Sequence, residues 1–275
     1  MPPYGETFFH RPTGRCSDGR LIIDLIAEYL GLPLVPPFYG GKNLGGGSSV
    51  NFAAASANAL PDSFFMSKDR RRFMEASLVM VGEIGGNDYN HALLEGESMQ
   101  ELIKLGAVTL MVPGNFPIGC SATYLTQFKS SNQNDYDHKT GCINWLNDFA
   151  TQHNNLLQSK LRRIQKENPT TKIIYADYYN TALRLYRSPL QYGFTKGGLT
   201  IYCGGCGPYS VDPSLHGKQV CENPSEYVGW DGLHLTEAAY RLVAKGLIEE
   251  PYTIPRINCS CASSSNCGVV GLSDQ

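Results

Sequence analysis

The sequence predicts an α/β protein, a three-layer α/β/α sandwich on a mostly parallel sheet. Two observations carry that prediction. Four short apolar runs, at residues 50–55, 76–82, 107–112 and 172–176, are continuous rather than alternating. Strands buried on both faces read that way. Between and around them, apolar residues recur at helical spacing, and such strand–helix alternation marks a doubly wound sheet.

The first helix is expected within residues 17–31, with a polar start, an apolar stripe and Gly31 as its stop. Ser17 and Asp18 read there as cap residues and Asp24 as a solvent-facing one. The longest helix spans residues 142–168. Its Ile143, Leu146, Phe149, Leu156, Leu157, Leu161 and Ile164 recur near helical spacing, and Pro169 ends it. The last helix follows Thr236, an N-cap residue type, and runs to about Leu247. A single domain over residues 1–275 accounts for the pattern, with 251–275 as a Cys- and Ser-rich tail. Two connections are short: about 20 residues join the first two apolar runs and about 24 the next two. Those lengths are near the lower range for a crossover carrying a full helix.

Composition narrows the partners. With 42% hydrophobic and 17% charged residues and a net charge of −2, the chain gives no electrostatic reason to expect nucleic acid. No apolar run approaches the roughly 20 residues that span a bilayer, and the N-terminal residues show no signal-peptide core. Of nine cysteines, six lie at or beyond position 203 in Gly-, Ser- and Pro-rich segments. Disulfides of an oxidising compartment are one reading. A zinc knuckle at Cys203, Cys206 and Cys221 is the other, although no second close pair or histidine completes it. Asn258-Cys-Ser260 is a glycosylation sequon.

Two stretches carry candidate chemistry. In Glu83-Ile-Gly-Gly-Asn-Asp-Tyr-Asn90 the glycines permit close backbone approach, and the Asn87 amide can donate to a developing oxyanion. A Gly-Asn-Asp turn closed by its own side chain is the bland alternative. In Asp231-Gly-Leu-His234 the histidine can serve as general base and then general acid, with the carboxylate fixing its tautomer. A helix-capping aspartate beside an incidental surface histidine is the competing reading, and a metal site lacks a third ligand.

Taken in order, these stretches resemble the plant-type GDSL esterases and lipases, a branch of the SGNH hydrolases with a flavodoxin-like sheet. Pro3-Tyr-Gly-Glu-Thr-Phe-Phe-His-Arg-Pro-Thr-Gly-Arg15 with Ser17-Asp-Gly-Arg20 is similar to the segment downstream of that family's nucleophile block. Glu83-Ile-Gly-Gly-Asn-Asp88 matches its Gly-x-Asn-Asp block and Asp231-Gly-Leu-His234 its Asp-x-x-His block. Val112-Pro-Gly-Asn-Phe-Pro-Ile-Gly-Cys120 and Tyr175-Ala-Asp-Tyr-Tyr-Asn180 are similar to its strand-end signatures. The resemblance implies that His234 is the general base, that Asp231 orients it, and that Asn87 donates to the oxyanion. The second donor would be the backbone N–H of Ser56, where the family has glycine. It also implies a small-molecule ester substrate, no cofactor, no metal and a secreted protein; nothing in it fixes the oligomeric state.

The implied nucleophile is missing. The family carries it in a Gly-Asp-Ser block on an N-terminal, central strand, and no Gly-Asp-Ser occurs in these 275 residues. The chain is therefore expected to lack that strand, through truncation, splicing or gene structure. An empty slot and two unpaired edges are expected between the first and second apolar runs. Ester hydrolysis by the family mechanism and a non-catalytic, ligand- or partner-binding fragment are the two readings this leaves, beside an unstable product.

Overall fold

The apolar runs become strands because β-branched and long apolar side chains can be buried on both sides of an extended backbone. The structure, a computed structural model, describes residues 4–37, 50–51, 74–75, 77–81, 97–202, 222–257 and 268–272. The first run gives β1 (Val50–Asn51), the second β2 (Ser77–Val81), the third β3 (Thr109–Pro113) and the fourth β4 (Lys172–Ala176). Residues 52–55 of the first run lie outside the described residues. Two further strands, β5 (Thr253–Ile254) and β6 (Gly268–Leu272), come from the C-terminal region.

The sheet has the order β1-β6-β2-β3-β4-β5. All neighbours are parallel except β4 and β5. The mostly parallel α/β sheet expected from the sequence is what forms. The expected gap beside β1 is corrected, however. β6 occupies it, pairing Val270 with Val50 on one side and Ser77–Val81 with Gly268–Leu272 along the other. No unpaired edges face each other between β1 and β2.

β6 lies inside the sheet, one strand from its β1 edge, although it comes from the C-terminal region. A parallel neighbour must start at the amino edge of the other strands, and the antiparallel β5 runs towards that edge, with Thr253 opposite Ala176 and Ile254 opposite Tyr175. From β5 to β6 is four strand spacings, about 19 Å. The thirteen intervening residues reach roughly 40 Å when extended.

The helices are shorter than the periodicity alone predicts. α1 covers Ile22–Tyr29 rather than 17–31, because Ser17, Asp18 and Arg20 are engaged in contacts described below. Asp24 is not solvent-facing: it is 1% exposed and accepts from the Val35 N–H. α2 (Glu97–Lys104) lies between β2 and β3. α3 (Ala122–Gln127) precedes α4 (Asn144–Glu167), the long helix, and α5 (Tyr178–Arg187) follows β4. α6 (Glu237–Glu249) begins directly after Thr236, as its N-cap chemistry requires. The Thr236 hydroxyl oxygen accepts from the Ala239 N–H at 3.2 Å.

The chain divides into two compact units. One comprises Met1–Ile22, Asn115–Gln152 and Tyr178–Gly246, the other Ile23–Gly114, His153–Asp177 and Leu247–Gln275. The second unit holds the sheet. Met99 and Leu102 of α2 and Leu157, Leu161 and Ile164 of α4 pack with Val79, Val81, Leu110, Val112, Ile173 and Tyr175. The alternate residues Leu78, Met80, Met111 and Ile174 are buried as well, so the sheet is covered on both faces. In the first unit, Leu125, Ile143 and Leu146 form one small core and Cys120, Cys142 and Leu183 another. Cys120 and Cys142 are joined by a disulfide. The tail cysteines, with the disulfide-or-zinc question they raise, lie outside the described residues.

Two outcomes follow. Leu110→Ala empties a fully buried position in β3 and is expected to cost about 3 kcal/mol in urea denaturation. Deleting residues 258–275 removes β6 and opens the facing edges of β1 and β2. That chain is expected to elute as oligomers in size-exclusion chromatography and to lose a cooperative unfolding transition. A monomer with the original midpoint would mean β6 contributes nothing to the sheet.

Candidate active site

Asp231 builds the turn that carries His234. Its Oδ1 accepts from the backbone N–H groups of Leu233 and His234, each at 2.8 Å, so a four-residue turn closes around one carboxylate oxygen. The flanks hold that turn still. The Trp230 N–H donates to the His234 carbonyl at 2.8 Å, and Gly229 bridges Leu235 on one side and Ile201 on the other. The Gly232 carbonyl accepts from the Ser121 hydroxyl at 2.8 Å and from the Thr123 N–H at 3.1 Å. Both donors are at the start of α3, beside the disulfide-bonded Cys120.

The other carboxylate oxygen faces the imidazole. Asp231 Oδ2 lies 2.7 Å from His234 Nδ1 and accepts from the Tyr4 hydroxyl at 2.9 Å. The aspartate side chain is 5% exposed and the histidine side chain 25%. Thus the carboxylate is sheltered while the ring keeps an accessible edge. Burial pushes the Asp231 carboxyl up, but the His234 bond and charge and the two backbone donors outweigh it and hold it below its ordinary value. An ionised carboxylate can only accept, so Nδ1 carries the proton and the basic lone pair falls on Nε2. The helix-cap reading of Asp231 fails on this geometry: the cap of α6 is Thr236, and both Asp231 oxygens are committed to the turn, to His234 and to Tyr4.

Aromatic rings and a buried ionic network support the pair. Trp230 is fully buried, stacked on Tyr202 at 5.0 Å between centroids and met edge-on by Tyr4 at 5.6 Å. The Tyr202 hydroxyl donates to Glu6 at 3.1 Å. Residues 4–20 are tied into this unit through Asp18, whose Oδ1 accepts from the Glu237 N–H at 2.6 Å and whose Oδ2 accepts from the Thr7 hydroxyl at 2.8 Å. Arg20 pairs with Glu237 at 2.8 Å, both side chains under a tenth exposed, and Arg241 reaches the same Glu237 oxygen at 2.7 Å. A Cβ at Gly19 would overlap the Glu237 carboxylate, so any other residue there would displace that side chain. Ser17 and Asp18 therefore serve this network and do not cap α1. Burial raises the Asp18 carboxyl despite these hydrogen bonds. Burial and then the Asp231 charge raise the Cys16 thiol, which keeps it from becoming a thiolate nucleophile.

Of the residues singled out in the sequence, the structure brings Asp231 and His234 together. Asn87 and Ser56 lie outside the described residues. Tyr4, Arg20 and Glu237 were missed as site components. Tyr4 and Arg20 stand in stretches that carry the family resemblance, but nothing local reveals a partner more than 200 positions away. Among the described residues, no three His, Cys, Asp or Glu side chains are grouped to hold a metal, and no helix is long and apolar enough to cross a membrane.

The structure thus joins a turn-borne Asp–His pair to an α/β protein with a mostly parallel sheet. Comparison with known proteins identifies the family. Residues 4–247 match the family model of the GDSL-like lipases and acylhydrolases, and the chain belongs to that family. A GDSL esterase/lipase of Arabidopsis thaliana is 44% identical over 327 residues, covering 100% of this chain and 81% of the relative. A second from the same plant is 45% identical over 314 residues, covering 95% and 81%. The sinapine esterase of Brassica napus is 42% identical over 317 residues, covering 96% and 82%. The first alignment is longer than the 275 residues of this chain, so that relative has internal stretches without a counterpart here.

The Asp231 charge has a pH signature. A carboxyl depressed in the folded state is protonated first in the unfolded state, so its stabilisation is complete above the ordinary carboxylate value and is lost as pH falls through the depressed one. Asp231→Asn is expected to flatten the acid limb of the urea midpoint against pH below about pH 5. An acid limb identical to the parent's would mean that Asp231 is not held ionised.

Proposed function

We propose that this chain carries the general-base half of a carboxylic-ester hydrolase site. His234 Nε2 is the base, Asp231 fixes its tautomer and stabilises the imidazolium, and the Asn87 amide and Ser56 N–H are the oxyanion donors. The observation that carries this reading is the 2.7 Å pair between a buried carboxylate and a partly exposed imidazole. The substrate class is a small-molecule ester, supported by relatives named esterase and lipase. The Cys120–Cys142 disulfide supports an oxidising compartment and hence secretion.

In the full reaction a serine hydroxyl attacks the acyl carbonyl while His234 takes its proton, and the carbonyl oxygen becomes an oxyanion. The imidazolium then protonates the departing alcohol. Water, deprotonated by the same histidine, attacks the acyl-serine, and the acid and the serine hydroxyl are released. The sequence contains no Gly-Asp-Ser to provide that serine. His234 is left able to activate water directly, and loss of the nucleophile costs on the order of 10⁶ in kcat. These 275 residues thus provide the base half of the site without that serine. The missing block is also what favours the second reading, a non-catalytic binder of the same esters.

Three proteins test this, beginning with the chain itself and the chain with a Gly-Asp-Ser strand fused upstream. Because β6 sits between β1 and β2, the fused protein is also made without residues 258–275. Each is exposed to a fluorophosphonate probe and a short p-nitrophenyl ester. Labelling and turnover are expected only with the added serine, and His234→Ala in that protein should lower kcat by about 10⁴-fold or more. Labelling of the unfused chain at a serine would overturn this reading and make a serine among these 275 residues the nucleophile. Saturable ester binding with no turnover in any version would favour the binder.

A further inference from the structure

We propose that Tyr4 is a positioning residue for the Asp231–His234 pair: its hydroxyl, donated to the oxygen that faces the imidazole, sets both the orientation and the proton affinity of that pair. The inference rests on the reading of His234 as the base and adds to it a residue from the far end of the chain.

The geometry leaves the Tyr4 hydroxyl a specific task. Asp231 Oδ1 is occupied by the backbone donors of its own turn, so that oxygen is fixed by local structure. Oδ2 has no turn donor. It is held from one side by His234 Nδ1 at 2.7 Å and from the other by Tyr4 at 2.9 Å. Donors on Oδ1 alone leave the position of Oδ2 to be set by its own partners, and a second donor on Oδ2 restricts its swing relative to the imidazole. The tyrosine is itself fixed, its ring set edge-on against buried Trp230, the residue before Asp231. The chain around it is anchored by Gly5 N–H to the Ser17 carbonyl and Thr7 N–H to the Asp18 carbonyl, each at 2.9 Å. Positive φ at Gly5, 81°, lets the backbone turn there, and a Cβ would strike the Arg11 carbonyl.

The hydroxyl also tunes charge. A neutral donor draws negative charge on Oδ2 toward itself, which weakens the hold of that oxygen on the imidazolium. Tyr4 thereby trades some proton affinity of His234 for orientation. The other titratable groups of the N-terminal segment are placed differently. Cys16 is coupled to the Asp231 charge but remains a thiol, Glu6 is bonded to Tyr202, and Asp18 to the start of α6.

The test needs no turnover, so its outcome is separate from that of the esterase proposal. The ring of His234 is titrated by NMR in the parent chain and in Tyr4→Phe, which keeps the aromatic contact and removes only the hydroxyl. The ring is expected to titrate higher in the variant by about half a unit or more, and its Nδ1 proton signal to broaden through faster exchange. Replacing Tyr4 by 3-fluorotyrosine, a stronger donor of nearly the same shape, should move the ring the opposite way. Circular dichroism reports folding for each. Opposite shifts in the two variants support the positioning role. If Tyr4→Phe does not fold, the sign of the fluorotyrosine shift decides. A His234 titration unchanged in folded variants would overturn the proposal and leave Tyr4 a packing residue only.

Discussion

A negative charge buried at Asp231 is the constraint on which the first unit depends. An ionised carboxylate removed from water is costly unless its lone pairs are taken up. Here four donors take them up: two from its own turn, one from His234 and one from Tyr4. Each donor fixes something different. The backbone pair fixes the turn, the imidazole fixes the tautomer, and the tyrosine ties residues near the start of the chain to those near its end. The site is thus a product of charge burial, and its order follows from the need to satisfy one side chain.

The second tie between chain ends is ionic. Arg20, Glu237 and Arg241 form a partly buried network at the start of α6, with Asp18 accepting from the first N–H of that helix. An acidic group near a helix N-terminus interacts favourably with the helix dipole. Buried ion pairs add little net stability over apolar packing, yet removing one partner leaves the other uncompensated at a cost of about 3–5 kcal/mol. Such a network therefore specifies position more than it adds stability. It sets where α6 begins, three residues after His234.

The sheet of the second unit solves a different problem. Parallel strands buried on both faces leave no place for unpaired edges in the interior. β6 meets that demand between β1 and β2 with a segment from the C-terminal region. Its sequence is Gly268-Val-Val-Gly-Leu272, two glycines among three residues of good strand propensity.

Local chemistry made much of this legible in the sequence. The strands at β2, β3 and β4 were readable because their apolar runs are continuous, α4 because its periodicity spans many turns, and α6 because Thr236 can cap only a helix that starts at Glu237. Asp231 and His234 were readable as a pair because three residues of turn suffice to bring them together. Other features were decided by tertiary structure, since they join residues distant in sequence. Burial turned Asp18 and Asp24 inward and shortened α1, while Cys120 and Cys142 found each other across 22 positions. Tyr4 reached Asp231 across 227 positions. β6 was invisible to the reading because a short, glycine-broken tail becomes a central strand only when two waiting edges define its place. Spacing along the chain encodes turns and helices; it does not encode which distant donor will answer a buried charge.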